Sequence, residues 1–272
     1  MMPEFTALEV QLHEGVATIA LNRPDKANAM NGVMWKEIKT AMEWLDATPE
    51  ARVGVLRANG RLFTAGIDLS MLAGLGAMMA DDCTGRSREK LRRLILDLQD
   101  SFNAIERCRK PVLAAIHGAC IGGGIDLVTA CDMRYCSADA YFSVKEIDVG
   151  LTADVGTLQR LPRIVGEGMA RELAYTGRNV GAAEAQAMRL VNRCYDTPEA
   201  LHAGVMELAA SIAAKSPLCI RGTKEMISYA RDHSTADSLN YVATWNSAML
   251  FSNDLQETAA AMREKRQPIF KD

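Results

Sequence analysis

The sequence predicts an α/β core followed by a purely helical C-terminal part. Three observations carry this. Short β-type segments alternate with helix-type stripes up to about residue 190. Residues 111–116 (Pro-Val-Leu-Ala-Ala-Ile) are continuously apolar, as a strand covered on both faces is. From about Pro198 onward only helical spacing is found. The length of 272 residues fits one large domain, and 49% apolar with 24% charged residues excludes a disordered chain, a collagen or a coiled-coil rod.

Each element follows from its own pattern. Residues 6–12 put Leu8, Val10 and Leu12 on one face, Gly15 marks a turn, and Ala17, Ile19 and Leu21 alternate again, so an antiparallel hairpin is expected. Asn22-Arg23-Pro24-Asp25 ends it. Met34, Trp35, Ile38, Ala41, Met42 and Leu45 recur at helical spacing. Residues 52–58 read as a short strand, and residues 59–68 as a loop. Residues 74–88, rich in Gly, Met and Asp, read as irregular. Leu91, Leu94, Ile95, Leu98, Phe102 and Ile105 form a second helical stripe. After the apolar strand come Gly118 and Gly122-Gly123-Gly124, then a helix over about 124–130 and short strands over 133–136 and 141–144. Leu201, Val205, Leu208 and Ile212 open the helical part. The chain divides into a core over 1–197 and a helical region over 198–272, with no low-complexity linker to make them independent.

Composition limits the function classes. A net charge of -3 from 31 basic and 34 acidic residues offers no broad attraction to nucleic acid or an anionic membrane. No apolar run is long enough to span a bilayer. Residues 1–11 carry Glu4 and Glu9 and no basic residue, unlike a signal peptide, and the chain does not end in Ser-Lys-Leu. A cytoplasmic location is therefore expected. The seven cysteines form no Cys-x-x-Cys, and the four histidines form no His-Glu-x-x-His, so no metal site is expected and the thiols read as small apolar fillers. His117, Trp35 and Trp44 read as structural.

The chemistry must then come from carboxylates and backbone. The triple glycine is not a dinucleotide fingerprint, because Leu127 stands where the third glycine belongs. It is not a triphosphate loop, because Ile125-Asp126 replaces Gly-Lys-Ser/Thr, and Gly-x-Ser-x-Gly is absent. Two readings remain open. The glycines make a tight turn and close packing, or they expose N–H groups at a helix start to a developing negative charge. The loop Phe63-Thr64-Ala65-Gly66-Ile67-Asp68 could supply a second such donor. Asp126, Glu146 and Asp154 each have apolar or small neighbours, which raises a carboxyl pKa and makes a proton donor or acceptor. Asp154 could equally be a helix cap before Val155, and spacing alone does not choose among the acids.

The chain resembles the crotonase (enoyl-CoA hydratase/isomerase) family over nearly its whole length. The resemblance rests on Leu21-Asn22-Arg23-Pro24, Phe63 to Leu69, Lys110-Pro111-Val112 and His117 to Gly124. It continues through Leu158-Gln159-Arg160-Leu161-Pro162 and Glu264-Lys265-Arg266-Gln267-Pro268. Residues 120–162 are most similar to the branch that isomerises dienoyl-CoA thioesters. Hydratases of the family carry Glu at Asp126 and usually Gly at Asp154, and this chain departs from that pattern at both. The resemblance implies a spiral of ββα units with a C-terminal helical trimerisation region, in trimers or in hexamers built as dimers of trimers. It implies an oxyanion hole from the N–H groups of Ile67 and Gly123. Coenzyme A would be held by Arg23, Lys26, Ala27, Ala65, Gly66 and Asp68, with Lys265 reaching a neighbouring subunit's ligand. Glu146 would be the base at C2 of a 3,5-dienoyl-CoA, Asp154 the acid at C6, and Asp126 a supporting charge. The implied setting is fatty acid β-oxidation, with no cofactor beyond the coenzyme A of the substrate. A 2-enoyl-CoA hydratase and a non-catalytic or RNA-binding relative are the rival expectations.

Overall fold

The computed structural model describes residues 2–272. It opens with the expected hairpin: β1 (Leu8–His13) pairs antiparallel with β2 (Val16–Leu21), Val10 opposite Ile19. Glu14 and Gly15 both take positive φ, the conformation a tight two-residue hairpin turn needs. α1 (Gly32–Ala47) follows, its first turn capped by the Asn31 side chain accepting the Met34 N–H at 3.0 Å. Next come β3 (Val53–Ala58), α2 (Leu69–Met78), α3 (Thr84–Arg107), β4 (Val112–Ile116), β5 (Ala119–Ile121) and α4 (Gly123–Thr129). β6 (Met133–Ser137), β7 (Tyr141–Ser143), α5 (Thr157–Val165), α6 (Glu167–Thr176), β8 (Val180–Gly181), α7 (Ala182–Ala187) and β9 (Arg193–Tyr195) complete the α/β part. α8 (Pro198–Ala213), α9 (Pro217–Tyr229), α10 (Thr235–Met249) and α11 (Asn253–Glu264) form the helical part. Thr197, Ser216, Ser234 and Ser252 cap these four helices with their side-chain oxygens, which is why each restarts cleanly after a short break.

Among the described residues the strands form two sheets. The larger runs β1-β2-β3-β4-β6-β9, parallel except for the opening hairpin, and the smaller runs β5-β7-β8. Both faces of the larger sheet are covered. Val53, Val55, Leu113 and Ala115 pack against Leu201, Val205 and Ala209 of α8, while Leu56, Val112, Ala114 and Ile116 join the main core. This double coverage explains the unbroken apolar run of β4. At Gly54 a side chain would strike Leu45 of α1 at 2.7 Å, so the close seat of α1 on β3 needs glycine there.

Two stretches differ from the pattern-based expectation. Residues 74–88 are not irregular throughout: α2 runs to Met78 and α3 begins at Thr84. The Asp68 carboxylate caps α2 by accepting the Ser70 N–H at 3.1 Å, and Gly74 and Gly76 face open space. Each glycine costs the helix about 1 kcal/mol, and Met71 packing on the core offsets this. The α3 stripe is buried only in its second half, at Ser101, Phe102, Ala104 and Ile105, while Leu91 and Leu96 remain exposed.

One buried cation ties the core to the loops. Lys110, just before β4, is 3% exposed and donates from Nζ to the Leu45 carbonyl at 2.9 Å and the Thr48 carbonyl at 2.5 Å. These are end-of-helix carbonyls of α1, where a cation is favoured. Replacing Lys110→Met removes the Nζ donor from both acceptors, leaving Thr48 O with only the Ala51 N–H, and should lower stability by about 1–3 kcal/mol. Urea unfolding at pH 7 measures this, and a variant as stable as the parent would refute the role.

Candidate active site

The segment 63–68 is stitched to the chain on both sides. Phe63 N–H donates to His117 O, Thr64 N–H to Ala119 O, and Ile121 N–H to Thr64 O. On the other side Ala65 N–H donates to Ala27 O, Met30 N–H to Gly66 O, and Asp68 N–H to Met30 O, while Gly66 N–H reaches Thr64 Oγ1 at 3.1 Å. The amide left over in this segment is that of Ile67. Two parallel bridges, Thr64 with Cys120 and Met30 with Ile67, set which way it points. Across from it α4 begins. Gly122 N–H is taken by Ser143 O, but Gly123 N–H, the first of the helix, has no protein acceptor among the described residues.

Glycine lets these two segments meet. A Cβ on Gly66, at φ +89°, would lie 2.7 Å from Ile121 O and 3.4 Å from Gly123 N. A Cβ on Gly124 would lie 2.6 Å from Thr64 Cγ2, and one on Gly123 would lie 3.8 Å from Ile67 N. The tight-packing reading of the triple glycine therefore holds, and that packing brings two unused N–H groups near each other. Such a pair can stabilise a developing oxyanion.

Three acids converge beside this pair. Asp126, on the first turn of α4, is fully buried, with Oδ1 accepting the Thr157 N–H at 2.5 Å. Burial pushes its pKa to about 6, against the pull of Thr157 and with a further push from Asp154. Glu146 starts a 3-10 turn over Glu146–Val149, and a Cβ on Gly122 would sit 3.4 Å from its Oε1. Burial first, then the Asp126 charge and more weakly that of Asp154, push Glu146 to about 7. Asp154 is more open to solvent, yet partial burial is the leading influence and raises its pKa too. Asp126 Oδ2 and Glu146 Oε2 are both sealed from solvent without a partner.

Asp154 is not a helix cap. α5 begins three residues later, at Thr157, and the Asp126 carboxylate takes the freed N–H. The Asp154 turn is bolted instead to α3: Gln99 donates to Asp154 O at 2.7 Å, and Arg160 binds Glu106 at 2.7 Å and Asn103 at 2.7 Å. Arg160 crosses Gly156 so closely that a Cβ there would lie 1.7 Å from Nη1. Thr157 and Gln99 were not singled out from sequence, and Arg160 was noted only within the family motif. A backbone N–H and partners more than fifty residues away leave no local signal.

The segment carrying the remaining candidates lies alongside. Asn28, buried at φ +49°, donates to Asn59 O at 2.8 Å and Leu62 O at 3.0 Å and accepts the Arg23 N–H at 2.8 Å. Arg23 pairs with Asp68 at 3.0 Å, whose pKa the Ser70 hydroxyl and Arg23 hold low. Lys26 and Ala65 are exposed and Ala27 is half-buried in the left-handed conformation. Lys265 sits exposed at the end of α11 and joins no part of this cluster within the chain. His117 bonds Gly60 O at 2.9 Å and the Trp35 indole donates to Met30 O at 3.1 Å, both in structural roles.

Residues 11–272 match the family described as enoyl-CoA hydratase/isomerase. The chain belongs to this family, the crotonases. It is 47% identical to the human mitochondrial Delta(3,5)-Delta(2,4)-dienoyl-CoA isomerase over 93% of this chain and 77% of that one. It is 45% identical to the peroxisomal enzyme of the same name from Arabidopsis thaliana, over 99% and 98%. The crystal structure of an enoyl-CoA hydratase from Bacillus anthracis superposes with a TM-score of 0.88 at 29% identity, covering 98% of this chain and 99% of that one. The chain is thus an enzyme of the isomerase type within its family. The cytoplasmic expectation is corrected by the same comparison, because these relatives are named mitochondrial or peroxisomal.

The buried acids carry a stability cost with a defined pH window. Glu146 has its folded pKa raised from 4.5 to about 7, so its ionisation opposes folding above about pH 4.5 and does so fully above about 7. Glu146→Gln should therefore stabilise the protein by about 2–3 kcal/mol at pH 8 and by little at pH 4. Chemical unfolding at the two pH values checks this, and equal effects at both would refute it.

Proposed function

We propose that this enzyme converts a 3,5-dienoyl-CoA to its 2,4-dienoyl isomer, in fatty acid β-oxidation. The observation that carries this reading is the third acid. Two carboxyls beside an oxyanion site suffice for chemistry at adjacent carbons, but here Asp154 stands on a separate, fixed turn with its own raised pKa. Moving both double bonds takes a proton from C2 and delivers one to C6, four bonds away, which two separate acids serve better than one.

The thioester oxygen would accept the Ile67 and Gly123 N–H groups, and the dienolate would spread its charge from there to C6. Glu146, poised near neutrality, takes the C2 proton. Asp154 holds a proton and gives it to C6, and an acyl tail lying over it would desolvate it further and favour that protonated form. After turnover Glu146 has gained a proton and Asp154 has lost one, and exchange with solvent resets both. Asp126 supplies a fixed negative charge beside Glu146. Arg23, Lys26, Ala27, Ala65, Gly66 and Asp68 would hold the coenzyme A moiety; the Arg23–Asp68 pair stiffens that rim. Lys265, apart from the site within one chain, would act across a subunit boundary in a homotrimer or a hexamer of two trimers. Exposed Phe251, Leu255 and Met262 of the C-terminal region support such an assembly. The proposed reaction transfers no electrons and calls for no cofactor.

Asp154→Asn should lower isomerisation of a 3,5-dienoyl-CoA at least about a hundredfold, the upper range of a positioned acid's contribution. Absorbance of the conjugated product follows the reaction, with crotonyl-CoA hydration assayed in parallel. Retention of activity within a few-fold refutes the role of Asp154, and fast hydration with no isomerisation in the parent favours the hydratase reading. Gly66→Ala should cost about a hundredfold or more by spoiling one N–H donor, with KM changed less than kcat; unchanged kcat refutes the oxyanion assignment.

A further inference from the structure

Asp126 and Thr157 come from different elements, the first turn of α4 and the first residue of α5. The Thr157 N–H consumes one oxygen of the carboxylate. The atoms left over are Asp126 Oδ2 and Thr157 Oγ1, both sealed from solvent and without a hydrogen-bond partner, on residues with no exposed surface. Buried polar atoms are nearly always matched, and a hydroxyl turns its proton toward an acceptor at little cost. Thr157, through its hydroxyl and its backbone N–H, favours the charged carboxyl against burial, although Oγ1 and Oδ2 stop short of full hydrogen-bond geometry.

The other groups facing Asp126 do not do this work. Glu146 from the 3-10 turn and Asp154 from the turn before α5 are acids and oppose its charge. Cys120 from β5 is a buried neutral thiol whose pKa burial raises further. Arg160 of α5 favours the anion, but its guanidinium is spent on Glu106 and Asn103.

We propose that Thr157 is a positioning residue: its hydroxyl donates to Asp126 Oδ2 and keeps that carboxylate charged, so that the substrate's proton goes to Glu146 and not to Asp126. This rests on the isomerase reading for its consequence, but not for the hydroxyl–carboxylate link itself. With Asp126 anionic, Glu146 is the stronger base of the pair. Without the hydroxyl, Asp126 competes for the proton, and Glu146 loses the charge that strengthens it.

The test compares the parent with Thr157→Ser, Thr157→Val and Thr157→Ala. Carboxyl 13C NMR titration of the substrate-free enzyme, with Asp126→Asn assigning the resonance, reads the link directly. Val and Ala should raise the Asp126 midpoint by about one pH unit, the size of one hydrogen bond to a charged group, and Ser should restore it. In kcat/KM for the 3,5-dienoyl-CoA, the acid limb of Val and Ala should move to lower pH and kcat should fall about tenfold. An Asp126 midpoint unchanged in Val and Ala, or a Ser variant that behaves like Ala, overturns the proposal. The Ser–Ala comparison holds packing nearly constant and survives a Val variant that fails to fold. A shifted midpoint in an enzyme inactive on the dienoyl substrate sinks the isomerase reading alone.

Discussion

Everything in this site depends on one leftover hydrogen-bond donor. Residues 63–68 pass between two neighbours, the start of β5 on one side and residues 27–30 on the other, and every other amide in the segment is consumed in holding it there. The Ile67 N–H is left free, and the first amide of α4 is free by the geometry of any helix start. The two can be neighbours only because Gly66 and Gly124 let the backbones approach to a distance no side chain allows. The placement of the two donors is a by-product of secondary structure, so the proposed oxyanion would find them already fixed.

The acids obey the opposite rule. The donors are free because their surroundings are satisfied, whereas Asp126 and Glu146 are perturbed because theirs are not. Each unit by which burial raises a carboxyl pKa corresponds to about 1.4 kcal/mol against the ionised form. The fold tolerates this because the doubly covered sheet and the capped helices stabilise elsewhere. Burying such groups gives up stability for perturbed acidity, a trade met most often at functional sites. The turn bearing Asp154 shows the mechanical side of the trade, since Gln99 and Arg160 hold its backbone while its carboxyl stays free.

Legibility from sequence followed the range of the interactions. The hairpin, α1, the buried β4 and the C-terminal helices write their period or their caps into adjacent residues, and these were readable. α2 was missed because Gly74 and Gly76 disguise a helix whose start depends on the Asp68 side chain. The α3 stripe suggested burial along its whole length, but apolar spacing records which face can be buried and not what covers it. Within the site, residue types pointed to Asp126, Glu146 and Asp154, while choosing them over other acids took the family resemblance. The Thr157 contact was invisible, because its partner lies thirty-one residues away and the contact uses a backbone atom.

That contact also explains why a shorter acid suits position 126. A carboxylate anchored by the N–H of α5 becomes part of the scaffold, and its freedom to handle water or substrate is halved, since one oxygen is engaged. Anchoring it ties the start of α4 to the start of α5, and with it to the turn that carries Asp154. Three carboxyls of nearly identical intrinsic chemistry thereby come to differ in how readily each holds a proton. Only their environments differ: complete burial with one bond for Asp126, burial beside a charge for Glu146, and partial exposure on a braced turn for Asp154.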